Sequence, residues 1–446
     1  MSVSALLRRR VTFPMYNILS RETSLRRIAM LRRTQWWTPG HIEAYQTKRL
    51  RALVEHAYRT SPYWRETMDR CSLSPGSIHR VQDIAHLPVL TKADLQANRE
   101  RMVSSAFDRA KLRLNASGGS TGEPTSLYQD MRRNWLRNAD VYRHDAWAGW
   151  RIGEPVYRAW GAAADIATPS LSQRRRDAML GPSYFLNAFE VSDDLAGEFL
   201  LQMLRERRFL LVGYAGALCQ LARVAMERDI HPHPVGIVAS AETLTPQGRA
   251  ALVEAFGCQV YDRYGSREVG LIASECEQHR GLHIAAEHVL VEVDGVGQYG
   301  SNAGRVLVTD LENYGMPLMR YELGDVAELA GEPCPCGRGL ALLRSVQGRM
   351  TDFIVCAGGR RIHGEYFTHL FYNVDGIRRF RLVQGKDRNI CIELVNDGRC
   401  EAAKISSLSA QVRQAVGDGI DVTWREVSEI RTPPSGKFRF TVSHCV

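Results

Sequence analysis

Five short segments between Phe209 and Tyr261 constrain this chain more than anything else in it. Phe209–Tyr214 (FLLVGY) reads as a strand, Ala217–Arg228 as a helix and Gly236–Ser240 as a strand. Pro246–Phe256 then reads as a helix capped by Gly257, and Cys258–Tyr261 as a third strand. Short apolar strands joined by single helices belong to parallel sheets with helices on their faces, so the fold class is α/β. The pattern begins earlier, with a strand at Leu112–Ala116, a helix near Arg132–Gly149 and a strand at Val156–Trp160. Upstream, Leu50, Leu53, Val54, Ala57 and Tyr58 recur at helical spacing until Ser61-Pro62 breaks it. Gly281–Asp310 turns strand-rich, which predicts a small β subdomain. After Arg349 come strands at Arg378–Val383 and Asn389–Val395, a helix at Glu401–Val416 and a strand at Val422–Glu426. The expected organisation is a basic N-terminal extension (1–40), a large multi-layer domain with parallel-rich sheets (41–348) and a small α+β domain (349–446).

The charge is lopsided. Of the net +9, residues 1–50 carry +8: ten basic residues (Arg8, Arg9, Arg10, Arg21, Arg26, Arg27, Arg32, Arg33, Lys48, Arg49) against Glu22 and Glu43. The remaining 396 residues hold 48 basic and 47 acidic groups, so the body is neutral and offers no surface that tracks phosphates. That speaks against a nucleic-acid-binding protein. Ten cysteines in a chain this long, most of them single in apolar runs, make no disulfide framework and suit a reducing cytoplasm. No run is long and apolar enough to span a bilayer, and no apolar stretch follows Arg8–Arg10 as a secretory signal would require.

Residues 117–125 read Ser-Gly-Gly-Ser-Thr-Gly-Glu-Pro-Thr, directly after a strand. Glycines let backbone N–H groups approach an anion, and hydroxyls add donors. The ending is not that of a P-loop. Four more segments follow in order: Ser240-Ala241-Glu242; Tyr261–Glu268 (YDRYGSRE); Arg320–Asp325 (RYELGD); and Gly348–Asp352 (GRMTD). Ser435-Gly436-Lys437 closes the series, with Lys437 one of only six lysines in the chain. This succession resembles the adenylate-forming superfamily of acyl-CoA synthetases, and within it the phenylacetate–CoA ligase and capsular-polysaccharide-cluster family, over roughly residues 45–446. Ala57-Tyr58, Ser61-Pro62-Tyr63-Trp64, Leu87-Pro88 and Thr91-Lys92 add to the likeness.

The resemblance implies that 41–348 is an adenylation domain and 349–446 a lid, and that the chain is an ATP-dependent, AMP-forming ligase. Such an enzyme activates a carboxylic acid, here aromatic or apolar, as an acyl-adenylate and passes it to an acceptor. CoA is the expected acceptor; an amine, or transfer of AMP itself to a cofactor, are the alternatives. Charge builds on phosphate in the transition state, so aligned donors and cations are required. The implied catalytic residues are Lys437, Glu268 (the Mg²⁺ ligand) and Thr121. The implied nucleotide-binding set is Ser117, Gly118, Gly119, Ser120, Thr121, Gly122, Ser240, Ala241, Glu242, Asp262, Tyr264, Gly265, Ser266, Asp325 and Arg349. Within that set Glu242 and Tyr264 would line the adenine side, and Asp325 would take the ribose hydroxyls. Two positions depart from the family pattern. Glu123 stands in the loop where Lys or a small polar residue is usual. Thr351 stands where Asp or Lys usually follows the hinge arginine, which would tune the rotation between half-reactions.

Cys334-Pro335-Cys336 with Cys276 and His283 suits a tetrahedral, structural Zn²⁺ site, with His279 competing as the histidine ligand and free thiols as the alternative. Similar chains in the family carry the same arrangement. Trp160, Tyr184, Phe185 and Phe189 are candidates for lining an acyl pocket, or for core. A protein of another class, zinc-stabilised and bound to nucleic acid or membrane, would use the basic N-terminus and the Cys/His cluster. Residues 1–40 are open to two readings: peripheral contact with an anionic membrane, or a solvated arm on the large domain. The oligomeric state is open, homodimer included.

Overall fold

The structure is a computed structural model that describes residues 3–20, 23–116, 126–161, 177, 180–188, 191–299, 302–349, 353–371, 374–430 and 440–445. The chain divides into two units. In the first, β1 (Arg113–Ala116) and β2 (Ser126–Gln129) form an antiparallel hairpin. The main sheet follows with β3 (Val156–Trp160), β4 (Ser183–Asn187), β5 (Leu210–Tyr214), β6 (Gly236–Ser240) and β7 (Val260–Ser266), in the spatial order β4-β3-β5-β6-β7 and parallel throughout. β8 (Gly270–Glu275) and β9 (Leu282–Ile284) extend it antiparallel.

Alternation along these strands feeds two cores. Tyr157, Ala159, Leu211, Ile237, Ala239 and Val260 face one side, against helices Asp193–Met203, Ala215–Glu227 and Pro246–Phe256. Val156, Leu210, Val212, Val238 and Tyr261 join Ala148 and Trp150 on the other. Burial on both faces is why every residue of β5 and β6 is buried. The helix Pro246–Phe256 ends at Gly257 in the left-handed conformation, as expected. At the Ser61-Pro62 break, helix Pro39–Thr60 stops and helix Pro62–Arg70 begins, with the Ser61 hydroxyl capping the second.

The second unit comprises residues 292–307, 322–329 and 345–446. The division therefore cuts through four strands, β10 (Val289–Asp294), β11 (Ala303–Asp310), β12 (Tyr321–Leu329) and β13 (Leu342–Arg349), rather than falling at residue 349. Beyond these lie a two-stranded pair, β14 (Phe353–Val355) with β15 (Arg361–His363), and the strands β16 (Ile377–Gln384), β17 (Ile390–Asn396), β18 (Val422–Glu426) and β19 (Thr441–Ser443). The last four form a sheet of order β18-β17-β16-β19. Helix Ala402–Val416 lays Ile405, Leu408, Val412 and Val416 on that sheet's core with Phe380, Leu382, Ile392 and Leu394. This is the expected α+β unit.

Residues 24–37 are not a separate arm. The helix Ser24–Thr34 buries Ile28 and Leu31, and its Arg27 enters a buried charge network. Arg27 lies 3.8 Å from Asp140 and 3.4 Å from Glu312, and donates to the Glu287 carbonyl at 3.0 Å. Arg49 reaches Glu312 at 2.7 Å, and Arg143 reaches Glu287 at 2.8 Å. The Thr34 hydroxyl also donates to Glu287. Burial lifts the Asp140 and Glu312 carboxyls above the usual range against the pull of Arg27. Glu287 ends below it, because Arg143, Thr34 and Arg27 outweigh its burial. Arg27→Met, which takes the nearest arginine from buried Asp140 and leaves Glu312 with Arg49 alone, is expected to cost about 3–5 kcal/mol in urea unfolding. Ile18→Ser, at an exposed site, should stay within about 0.5 kcal/mol. An Arg27→Met midpoint equal to wild type would remove the network from the account of stability.

Candidate active site and metal cluster

The parallel strands of the first unit end on one edge, where ligands bind in open α/β sheets. Ser240 closes β6 there, and its hydroxyl donates to the Arg263 carbonyl at 3.0 Å. Ala241 follows with φ +67°, a conformation rare for a side chain larger than glycine's and one that collects at functional sites. The Glu242 Oε2 accepts the Gly216 N–H at 2.8 Å, fastening the strand end to the first turn of helix Ala215–Glu227. Beside it, β7 runs on to Ser266, five residues beyond Tyr261, because Arg263–Ser266 pair with β8. The ladder shifts register between Tyr264 and Gly265, and a Cβ at Gly265 would sit 2.6 Å from the Gly270 carbonyl, so only glycine fits.

The turn that follows is held by its backbone. Asn115 Nδ2 donates to the Arg267 carbonyl at 2.7 Å. Gln129 Nε2 and Arg133 donate to the Glu268 carbonyl at 3.0 and 2.9 Å. Arg133, fully buried, is itself fixed by Asp310 at 2.6 Å. The half-buried Glu268 carboxylate has no hydrogen bond or ion pair among the described residues. Asn115 and Gln129 lie on β1 and β2, the strands that carry segment 117–125 between them. The structure therefore fastens both stems of that segment to the turn bearing Glu268. The sequence reading missed Asn115, Gln129 and Arg133, and as single polar residues they give no signal.

Asp262 lies farther back on β7, and burial together with the neighbouring Glu275 pushes its carboxyl up to about 7. Its N–H donates to Glu275 at 2.7 Å, and Glu275 also holds Arg249 through two bonds of 2.9 Å. Asp262, half-buried, thus stands beside the buried Glu275. Asp325 lies on β12 in the second unit and is buried. Arg349 ends β13. Ser117, Gly118, Gly119, Ser120, Thr121, Gly122, Glu123, Thr351 and Lys437 lie outside the described residues, as does Phe189. Of the other aromatic candidates, Tyr184 stacks on Tyr157 at 4.6 Å and Trp160 packs edge-on to Tyr214 at 4.8 Å, both against the core. Phe185 is exposed.

Cys276, His283, Cys334 and Cys336 converge, with all four donor atoms within 4.8 Å of one another. Cys276 Sγ is 3.7 Å from Cys334 Sγ, and Cys336 Sγ is 3.3 Å from His283 Nε2. Sulfur and nitrogen ligands at about 2.3 and 2.0 Å in a tetrahedron stand apart by about such distances, so the donors fit one Zn²⁺. The second ring nitrogen of His283 lies 3.2 Å from the Leu340 carbonyl, which sets Nε2 free to ligate. The Gln278 and Arg338 N–H groups point at Cys276 and Cys336 sulfurs. Without a metal, burial pushes the Cys276 thiol up to about 12 and the His283 imidazole down to about 4. His279 is not among the donors: its Nδ1 lies 3.1 Å from Glu275 and its ring packs on Tyr261. Arg338 pairs with Glu277 and lies over the rings of Trp36 and Trp147, tying the cluster to the N-terminal segment.

The CapK C-terminal domain family matches residues 354–444. The phenylacetate–coenzyme A ligase of Thermus thermophilus is 26% identical over 328 residues, 71% of this chain and 72% of that one. Protein CapK of Staphylococcus aureus is 24% identical over 409 residues, 90% and 88% of the two chains. A crystal structure of 2-hydroxyisobutyryl-CoA ligase in complex with 2-HIB-AMP superposes with a TM-score of 0.67 at 19% identity, covering 89% of this chain and 88% of that one.

Elemental analysis of the purified chain is expected to find about one zinc. Cys334→Ser/Cys336→Ser and His283→Ala should lose it, and His279→Ala should keep it. Zinc-free protein from zinc-replete cells would exclude the site.

Proposed function

The chain belongs to the adenylate-forming ligases, in the group that holds phenylacetate–CoA ligase and CapK, and on that premise we propose its reaction and the residues that carry it. It activates a carboxylic acid with ATP and transfers the acyl group to CoA. The observation that carries the residue assignment is the pinned turn: Asn115, Gln129 and Arg133 fix the backbone at 267–268, while the Glu268 carboxylate has no hydrogen bond or ion pair among the described residues. Such a carboxylate is ready for a cation at no further cost in ordering the chain.

A carboxylate cannot expel its own oxygen, so its oxygen first attacks the α-phosphorus of ATP and the bond to pyrophosphate breaks. The CoA thiol, giving up its proton, then attacks the carbonyl carbon, and AMP leaves with the C–O bond electrons. Ser117–Gly122 offers N–H and hydroxyl donors to the departing phosphates, Thr121 among them. Glu268 would hold Mg²⁺, which neutralises phosphate charge when bound. Glu242 and Tyr264 would border the adenine, with Glu242 keeping one oxygen on Gly216. Ser240, Ala241, Gly265 and Ser266 would shape that border, and Asp325 would accept from the ribose hydroxyls. Lys437, a flexible point charge, would meet the α-phosphate and the incoming carboxylate. Arg349 stands where the family hinge would turn. Asp262, beside Glu275, supports the strand from behind. The Cys276, His283, Cys334 and Cys336 site would hold structural Zn²⁺, stiffening the first unit rather than reacting. An aromatic or apolar acid is the proposed substrate. Among the described residues no helix is long and apolar enough to cross a membrane. The ten free thiols support a reducing compartment, the cytoplasm.

Acid-dependent exchange of labelled pyrophosphate into ATP, screened over aromatic, aliphatic and hydroxy acids, tests the first half-reaction. Lys437→Ala should lower exchange by about 10²-fold or more while ATP binding changes only a few-fold. Glu268→Gln should raise the Mg²⁺ concentration needed for half-maximal exchange. Exchange unchanged in Lys437→Ala would overturn the assignment of that lysine, and no exchange with any acid would overturn the reaction.

A further inference from the structure

The N-terminal helix has a buried face and an exposed face, and the exposed one is apolar. It runs from Val3–Leu7 through a π-wound turn, Arg8–Thr12, into Phe13–Leu19. Ala5, Phe13 and Asn17 face the protein. Phe13 packs edge-on to Tyr142 in a cluster with Ile28, Leu31 and Ala139. The backbone at Ala5 lies directly on Gly153: a Cβ there would be 2.7 Å from the Ala5 carbonyl. So anchored, the helix cannot roll to hide its other side. Leu7, Val11, Met15, Ile18 and Leu19 stand outward, with Ile18 75% and Leu19 74% exposed.

The arginines around this stripe stand in a segment that is nearly free of acids. Elsewhere several exposed arginines pair with acids, as in Arg59–Glu55, Arg101–Glu66, Arg223–Asp193 and Arg228–Asp194, while others such as Arg205, Arg207 and Arg280 form no ion pair among the described residues. Residues 1–40 contain a single acid, Glu22. Arg9, Arg10 and Arg32 form no ion pair among the described residues. Arg9 and Arg32 converge with Arg151 on a cavity of about 280 Å³ whose floor includes the stacked rings of Tyr142 and Trp150.

We propose that this face docks the protein on an anionic phospholipid bilayer, with the aliphatic stripe at the acyl boundary and the Arg9–Arg32–Arg151 cavity taking a lipid phosphate. An interfacial helix needs both elements, an apolar face about 5–10 Å deep in the headgroup region and basic residues beside it. Each basic residue near such a surface adds about fivefold to partition. A nucleic acid would reward the arginines but not five outward aliphatic side chains. A second copy of the chain would set the same arginines against one another across a two-fold contact. The cluster is local: the rest of the chain is nearly neutral, so docking would be through this face alone.

Flotation of the full chain with vesicles of equal parts phosphatidylglycerol and phosphatidylcholine, in about 0.1 M salt, tests this. Wild type should float with these vesicles and much less with pure phosphatidylcholine. Ile18→Ser/Leu19→Ser and Arg9→Glu/Arg32→Glu should each lower the bound fraction by about tenfold, with unfolding midpoint and pyrophosphate exchange unchanged. Absence of flotation, or flotation that neither variant alters, overturns the proposal. So does duplex-DNA binding that is tighter than vesicle binding and indifferent to Ile18→Ser/Leu19→Ser, or a dimer in sedimentation that the same substitutions dissolve.

Discussion

A run of charges inside the first unit connects the helix Ser24–Thr34 to the candidate active site. Arg27 meets Glu312, whose N–H donates to Asp310 at 3.0 Å; Asp310 holds Arg133, and Arg133 holds the Glu268 carbonyl. Taking such groups out of water is costly, and the cost is offset only when each has its partner in place. The segments that supply them, near residues 27, 49, 133–143, 287 and 310–312, are separated in sequence. They must arrive together, so the network acts as a test of correct assembly as much as a source of stability. Arginine suits the task, since its fork serves two partners at once, as Arg133 does.

Much of the fold was legible where burial follows a simple period. The strand Gly236–Ser240, the helix Pro246–Phe256 and the strand Val422–Glu426 lie where their apolar spacing puts them. The rest was hidden for physical reasons. Arg27 sits among surface arginines in a basic stretch and differs from them only in what surrounds it. The extension of β7 through Asp262–Ser266 is polar and becomes strand only because β8 returns along it. Strands β10 to β13 each serve both units, a division that no local property of the chain records. At the site, the motif order marked Glu268 and Glu242, whereas the donors that fix the turn were invisible. The Cys/His donors were legible as a set, and the choice of His283 over His279 needed the Leu340 carbonyl.

The Cys/His cluster and the N-terminal segment stiffen each other. Arg338, two residues past Cys336, lies over Trp36 and Trp147, and its Nε bonds the Gln35 side chain at 3.3 Å. Trp147 also bonds Gln35 and packs edge-on to His283. The helix Met131–Trp147 thus offers Arg133 toward the turn at one end and Trp147 toward the cluster at the other.

The seat of the first helix has a practical corollary for anyone trimming this chain. Phe13 fills a hollow walled by Ile28, Leu31, Ala139, Tyr142 and Ile152. A shortened version starting after residue 20 would leave that hollow open to water as a contiguous greasy patch, the kind that makes proteins stick to one another. Poor behaviour of such a truncated preparation would then report on the uncovered hollow, and would carry no information about what the missing helix does.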